Sequence, residues 1–279
     1  MSVHVTAYAK LNLALRVLGP RTDGYHEILS EVQTIDLSDR LTIDLGGQGV
    51  RAESDLVLRE ENIVARAAAA LLRRKGLDQG VHIFVEKGIP IGAGLGGGSS
   101  DAAAVLRVFD RLTPPELSFD ALCEVGAAIG SDVPLFLHGG RVRMAGRGEH
   151  VQRLPGRSAE YFLVLVPPVH CSTGAIYARW DAIASTGCTL RDDEPRRGEN
   201  DLLAAALDVH RDLAPYHDAV GSLDADYYGM SGSGSSFFAA FSKPAIAERA
   251  RASLKRQFES ANVVVCRPTT TGHQVQEES

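Results

Sequence analysis

The chain has 279 residues, of which 44% are hydrophobic and 23% charged, and its formal net charge is −6. That length calls for one large or two ordinary domains, and the composition is that of a soluble globular protein rather than a disordered one. The acidic balance excludes a global attraction for nucleic acid or an anionic membrane, so a polyanionic ligand must be gripped by local donors.

Residues 3–17 alternate. Val3, Val5, Ala7, Ala9, Leu11, Leu13, Leu15 and Val17 are apolar, while the even positions include His4, Thr6, Tyr8, Lys10, Asn12 and Arg16. Period two predicts a long strand with one face on a core and the other on something polar. Lys10 and Asn12 then point the same way, roughly 7 Å apart. A lone lysine there reads as part of a solvated face; Asn12, a poor strand former beside it, raises the case for a ligand. A turn cluster at 19–25 leads to Tyr25, His26 and Glu27, which open a mostly apolar segment as far as Leu37. An aromatic beside a histidine fits a ring-bearing ligand and half-buried edge packing equally. Residues 41–45 read as a short strand, 62–72 as an alanine-rich helix behind an Asn62 cap, and 81–86 as another strand.

That strand delivers the chain to Gly88-Ile-Pro-Ile-Gly-Ala-Gly-Leu-Gly-Gly-Gly-Ser-Ser-Asp-Ala-Ala-Ala104, with six glycines from Gly88 to Gly98. Glycine loses more conformational freedom on folding than other residues, so a dense run implies something only glycine permits. The usual reason is backbone amides packed around a ligand at a helix N-terminus, most often a phosphate. Behind the run, Ala102, Val105, Leu106, Phe109 and Leu112 share a helical face, with Ser99, Ser100 and Asp101 where caps belong. A second helix is expected from Ser118 to Gly130, followed at once by Ser131-Asp132-Val133-Pro134. Asp132 leaves a helix C-terminus into apolar surroundings, and locally turn capping is the favoured role.

Residues 153–159 are polar and turn-rich, placing a domain boundary there, with units 1–153 and 154–279. Beyond it come a buried strand at 161–166, helices at 174–184 and, behind Asn200, at 201–213, and a charged loop at 185–199 between them. A second glycine cluster, Gly229-Met-Ser-Gly-Ser-Gly-Ser-Ser236, feeds a strand ending at Phe241; a helix begins at Pro244 and a strand follows at 263–265. Interleaved strands and helices read as an α+β unit. Cys123, Cys171, Cys188 and Cys266 are too scattered for a metal site or a disulfide framework. The first residues lack the basic-then-apolar pattern of a signal peptide, and the apolar run 161–169 is too short to span a bilayer. A cytoplasmic protein with no membrane or nucleic-acid partner is expected, as a monomer or homodimer.

Gly92-x-Gly94-x-x-Gly97 fits the dinucleotide fingerprint, but Pro90 intervenes and no parallel strand follows at the expected distance. A Walker loop fails too, because Gly98 stands where its lysine belongs. The segment 90–100 strongly resembles the phosphate loop of the GHMP kinase superfamily. Ala9-Lys10-Leu11-Asn12-Leu13 and Ser231-Gly-Ser-Gly-Ser-Ser236 are similar to its other two signatures. Asp23-Gly24-Tyr25-His26, Gly96-Gly97-Gly98-Ser99-Ser100 and Gly130-Ser131-Asp132-Val133-Pro134 point, within it, to the members that act on a cytidine diphospho-alcohol.

The resemblance implies a two-domain α+β fold, with an N-terminal ribosomal-S5-like domain and a C-terminal ferredoxin-like sandwich. It implies transfer of the γ-phosphate of ATP, with Mg²⁺, to the 2-hydroxyl of a cytidine diphospho-methylerythritol in non-mevalonate isoprenoid synthesis. Asp132 would be the base and Lys10 its neighbour at the acceptor oxygen. Pro90, Ile91, Gly92, Ala93, Gly94, Leu95, Gly96, Gly97, Gly98, Ser99 and Ser100 would wrap the ATP phosphates, with Ser99 or Ser100 available to Mg²⁺. Asn12 would hydrogen-bond the substrate, Tyr25 would stack on cytosine, His26 would read its edge, and Tyr177, in the segment begun by Thr173, would take the opposite face. Gly174 and Tyr177 depart from the Thr-Pro and phenylalanine frequent in that segment. Another small-molecule GHMP kinase (mevalonate, homoserine or sugar type) is the alternative within the fold. A non-catalytic RNA-binding module is the alternative outside it, disfavoured by the acidic balance.

Overall fold

A computed structural model describes residues 2–55, 63–156, 160–185 and 193–276. The expected Asn62 cap and Cys188 lie outside the described residues. The alternating N-terminal segment forms β1 (Ser2–Pro20), and the chain returns as one strand, β2 (His26–Leu45), antiparallel to it. The separate short strand expected at 41–45 is therefore the far end of β2, because β1 is long enough to template the whole return. Register slips at Tyr8/Ala9, Asn12/Ala14 and Val17/Gly19, and such bulges change which face a side chain meets. Then follow β3 (Val50–Ser54), α1 (Ile63–Lys75), β4 (Val81–Glu86), α2 (Gly97–Leu112), α3 (Phe119–Ile129), α4 (Val133–His138), β5 (Arg141–Gly146) and β6 (His150–Arg153). The second half contains β7 (Tyr161–Val166), α5 (Thr173–Ala184), α6 (Leu203–Val209), α7 (Ala214–Gly221), β8 (Tyr227–Met230), β9 (Phe237–Phe241), α8 (Pro244–Gln257), β10 (Asn262–Cys266) and β11 (His273–Gln276). The helix expected at 201–213 is split: α6 stops at Val209, and a 3₁₀ turn at Arg211–Leu213 leads into α7, which has proline in its first turn.

Two sheets result. The first runs β11-β1-β2-β4-β3, with β5 pairing the N-terminal half of β2 and β6 pairing β5. The second runs β10-β7-β9-β8. Helices cross between β7 and β8 and again between β9 and β10, which gives the ferredoxin-like arrangement. The second sheet opens at Tyr161, close to the expected boundary, but the segment 154–279 is not a single unit. Its last strand, β11, returns to the first sheet and pairs with β1 from His4 to Ala7, where an uncovered edge would expose unpaired backbone groups. Among the described residues, no helix is long and apolar enough to cross a membrane.

The core has three parts. Helices α1 and α2, with Val133, Leu135 and Phe136 of α4, cover one face of the first sheet. Helices α5 to α8 cover the outer face of the second sheet. Between the sheets, Ala9, Leu11, Leu13 and Ile35 pack on Phe162, Val164 and Phe238. Ala9, Leu11 and Leu13 of β1 thus form the joint between the two halves, whereas Val5 and Ala7, before the slip at Tyr8/Ala9, pack in the core under α1 and α2. The even face, expected to be polar, is also buried at Lys10, Asn12 and Arg16. Arg16 is accommodated there by Glu199 at 2.9 Å and Asp201 at 3.6 Å.

Phe238 is fully buried in that joint, edge-on to Phe162 and Tyr227 with centroids 6.3 and 6.2 Å away. Phe238→Ala is expected to cost about 3–5 kcal/mol in urea unfolding. A loss below about 1 kcal/mol would show that the two sheets are held together elsewhere.

Candidate active site

Four segments converge at the middle of β1. The Lys10 ammonium donates to Asn12 Oδ1 at 2.5 Å, and Asn12 Nδ2 donates to Ser30 Oγ at 2.9 Å. Ser30 Oγ passes the chain on to the Ala14 carbonyl at 2.6 Å. Both ends of the Asn12 amide are therefore engaged, its oxygen on Lys10 and its nitrogen on Ser30. Asp132 faces the same ammonium at 3.8 Å, with its side chain 37% exposed against 6% for Lys10. Asp132 occupies the N-cap position of α4 but makes no side-chain cap bond, so the turn-capping role favoured locally is not the one it plays. Burial pulls the Lys10 pKa below the ordinary lysine range, and the Asp132 charge opposes that shift.

The glycine run packs directly against this centre. The Lys10 amide donates to the Leu95 carbonyl at 3.0 Å, Ser231 Oγ to the Gly94 carbonyl at 2.9 Å, and the Ser236 amide to the Ala93 carbonyl at 3.2 Å. Three successive carbonyls of the loop are thereby turned toward β1 and the second glycine loop. Ala93 and Leu95 are buried as anchors, while Ile91 is 58% exposed at the outer rim. Helix α2 starts at Gly97, with Gly96 as N-cap at φ 74° and no side-chain cap. The caps expected at Ser99, Ser100 and Asp101 are instead inside the helix. Ser100 donates its hydroxyl to the Tyr8 carbonyl at 2.6 Å, and Asp101 is held by Lys87. The first amide bonded back into the helix is that of Ser100, to Gly96 at 2.9 Å, which leaves the amides of Gly97, Gly98 and Ser99 for an anion. Gly96 is required twice over, by its positive φ and because a Cβ there would lie 2.7 Å from the Phe136 ring and 3.1 Å from Lys10 Cγ.

Beside Lys10 and Asp132 lies a cleft of about 640 Å³. Asn12, Tyr25, His26, Thr173 and Tyr177, all expected from sequence, line it together. Tyr25 is half exposed, and the Arg147 guanidinium sits 5.0 Å above its ring. His26 Nε2 is 2.8 Å from Asp181 Oδ1, and its ring packs on Tyr177 with centroids 4.6 Å apart. One face of Tyr177 is thus covered by His26. Burial, then the Asp132 charge, push the Tyr177 hydroxyl up to about 12. Thr173 Oγ1 is 2.9 Å from Ser233 Oγ, which joins α5 to the second glycine loop.

Sequence reading missed four contributors. Arg147 sits in a Gly146-Arg147-Gly148 turn, half-buried and bonded to the Ala127 carbonyl, where the flanking glycines were a readable sign of a turn. Asp181 lies four residues after Tyr177 on α5 and so shares its face. Ser30 had no local signal. Asn200, read only as a helix cap, bonds the Leu202 amide at 2.9 Å and also donates to the Met230 and Gly232 carbonyls, both at 2.8 Å. It therefore holds the second glycine loop against the site.

Family profiles described as "GHMP kinases N terminal domain" and "GHMP kinases C terminal" match residues 62–140 and 192–260. A 4-diphosphocytidyl-2-C-methyl-D-erythritol kinase from Brevibacillus brevis is 35% identical, over 89% of this chain and 91% of its own length. One of the same name from Enterococcus faecalis is 34% identical over 95% of this chain and 99% of its own length. The chain belongs to this family of GHMP kinases. The Thermotoga maritima member is 42% identical, but the match spans 63% of this chain and only 64% of that relative. A crystal structure of 4-(cytidine 5'-diphospho)-2C-methyl-D-erythritol kinase superposes with a TM-score of 0.77 at 32% identity, covering 95% of this chain and 99% of the other. A homoserine kinase from Cytophaga hutchinsonii superposes at 0.74 with 18% identity, a likeness of fold alone.

The burial of Lys10 in this family member has a measurable consequence. Its folded pKa lies below the ~10.4 of an exposed lysine, so between those values the unfolded chain binds the proton that the folded chain has lost. Stability carried by the residue then rises with pH across that window. Lys10→Met is expected to stabilise the fold most near neutral pH, with the advantage shrinking toward pH ~10.4. Urea midpoints that keep a constant gap over that range would contradict the depressed pKa.

Proposed function

We propose that this chain transfers the γ-phosphate of ATP to the 2-hydroxyl of 4-diphosphocytidyl-2-C-methyl-D-erythritol. The observation that carries the reading is the Lys10–Asp132 pair, 3.8 Å apart, at the floor of one cleft and against the glycine run that starts α2. Phosphoryl transfer needs positioning, charge stabilisation and a group to take the hydroxyl proton. The amides of Gly97, Gly98 and Ser99 meet the phosphates, and the loop 90–100 surrounds them. The acceptor hydroxyl lies between Lys10 and Asp132. Its oxygen forms the new bond to phosphorus as the bond to the leaving β,γ-bridging oxygen breaks, and its proton passes to the Asp132 carboxylate. The electron pair of the broken bond leaves with ADP. Lys10, kept in place by Asn12, offsets the negative charge that gathers at the transferred group.

Bound with ATP, Mg²⁺ supplies further charge neutralisation at the phosphates. The Ser99 hydroxyl would help to hold the ion, because Ser100 is buried and committed to the Tyr8 carbonyl. At the other end of the cleft, a His26 ring whose Nε2–H donates to Asp181 presents Nδ1 as an acceptor. An acceptor there matches the exocyclic amino group of cytosine, with the Tyr25 ring available for stacking. Arg147, above Tyr25, supplies positive charge for the diphosphate that links base and alcohol.

The test is ADP release with the cytidine diphospho-alcohol against mevalonate, homoserine and galactose. Turnover on the cytidine compound should exceed the others by about 100-fold or more, and Asp132→Asn should lower it about 10²–10⁴-fold while both ligands still bind by calorimetry. Comparable turnover on another alcohol, or an Asp132→Asn variant with near-normal kcat, would remove the reading.

A further inference from the structure

Beneath the glycine run lies a second charged cluster that the chemistry above does not use. Lys87, the last residue before Gly88, has its ammonium between Asp39 of β2 at 2.5 Å and Asp101 of α2 at 2.8 Å. All three side chains are at most 5% exposed. The other oxygen of Asp39 accepts the amides of Gly88 and Ile89, both at 2.7 Å. At the far end of the loop a Cβ on Gly97 would lie 3.3 Å from Asp39 Oδ2 and 3.1 Å from Ile89. One hydrogen-bonded Asp39–Lys87–Asp101 chain, in which burial and the Asp39 charge push the Asp101 carboxyl up to about 8, therefore fastens both ends of the loop: its start through Gly88 and Ile89, and its finish through the first turns of α2.

Burying three ionisable groups is expensive, and a well-packed apolar trio is often as stable or more so. What an apolar trio lacks is direction. It could not accept two backbone amides at one end of the loop while tying down the helix turn at the other. We propose that Lys87, clamped by Asp39 and Asp101, is a positioning residue for the phosphate site, setting where the amides of Gly97, Gly98 and Ser99 stand. The ligand assignment rests on the kinase reading above; the clamp itself does not.

The same helix carries an internal control. At its C-terminal end Lys75 reaches Asp110 at 2.7 Å, with side chains 3% and 1% exposed, and bonds Thr113 as well. That pair is a comparably buried lysine–aspartate contact, with one carboxyl group rather than two, and it touches no part of the loop. Lys87→Met and Lys75→Met should both lower the urea midpoint. Only Lys87→Met should speed hydrogen exchange in the peptide 88–101, and only it should raise the KM for ATP, by 10-fold or more, with the KM for the alcohol within threefold of wild type. If Lys87→Met fails to fold, Asp101→Ala takes its place. Asp101→Asn, which keeps an oxygen for Lys87, should then shift less. Unchanged exchange in 88–101, or equal effects of the Lys87 and Lys75 variants on exchange and on the KM for ATP, would overturn the clamp. A wild-type protein that binds no ATP, with the exchange difference intact, would overturn the kinase reading and leave the clamp standing.

Discussion

An ammonium taken out of water must be given partners or lose its proton. The fold is arranged so that Lys10 has partners from every direction. Asn12 lies two residues along the same strand and accepts its hydrogen bond; Asp132 faces it from the start of α4; the Lys10 amide is bonded to the Leu95 carbonyl of the glycine run. The second glycine loop closes the remaining side, so near that a Cβ on Gly232 would stand 3.4 Å from the ammonium. Burial lowers the pKa of this lysine and Asp132 opposes the shift. Asp132 therefore favours the positive charge that burial opposes, and two groups expected to share one reaction are also electrostatically tied in the resting protein.

The same requirement explains why the glycines are where they are. Several of them are there for the protein's own packing before any ligand arrives. Gly94 admits the Ser231 carbonyl, 2.3 Å from where its Cβ would be, and Gly96 admits the Phe136 ring and the stem of Lys10. Turning the carbonyls of Ala93, Gly94 and Leu95 inward points the amides of Gly94, Leu95 and Gly96 the other way, and the amides of Gly97, Gly98 and Ser99 follow them, free because they open α2. The anion cradle and the seat of the lysine are two sides of one piece of backbone.

How much of this was legible in the sequence follows from the range of the interactions. The period-two pattern put Lys10 and Asn12 side by side because strand geometry is local. It could not show that Asn12 is spent on Lys10 and Ser30, since Ser30 arrives through a pairing that slips beside Asn12. For Asp132, local context favoured a cap, and what decides otherwise is a lysine on a distant strand. The serines and aspartate after the glycines had the composition of a cap, but Ser100 and Asp101 were drawn inward by Tyr8 and Lys87. Strand β11, a short polar stretch with no apolar alternation, is fixed by the open edge of β1 rather than by its own residues. Thr173 and Tyr177 were placed in the cleft by family resemblance, and the structure adds that Tyr177 rests on His26.

The hydrogen bond from Lys10 leads us to expect that Asn12 acts through the lysine rather than on the substrate. A double-mutant cycle of Lys10→Met and Asn12→Leu, read as kcat/KM, tests it most directly. If Asn12 serves only to aim the lysine, the double variant is no slower than Lys10→Met alone. Losses that add on the logarithmic scale would show that Asn12 contacts the substrate independently, and would contradict the account.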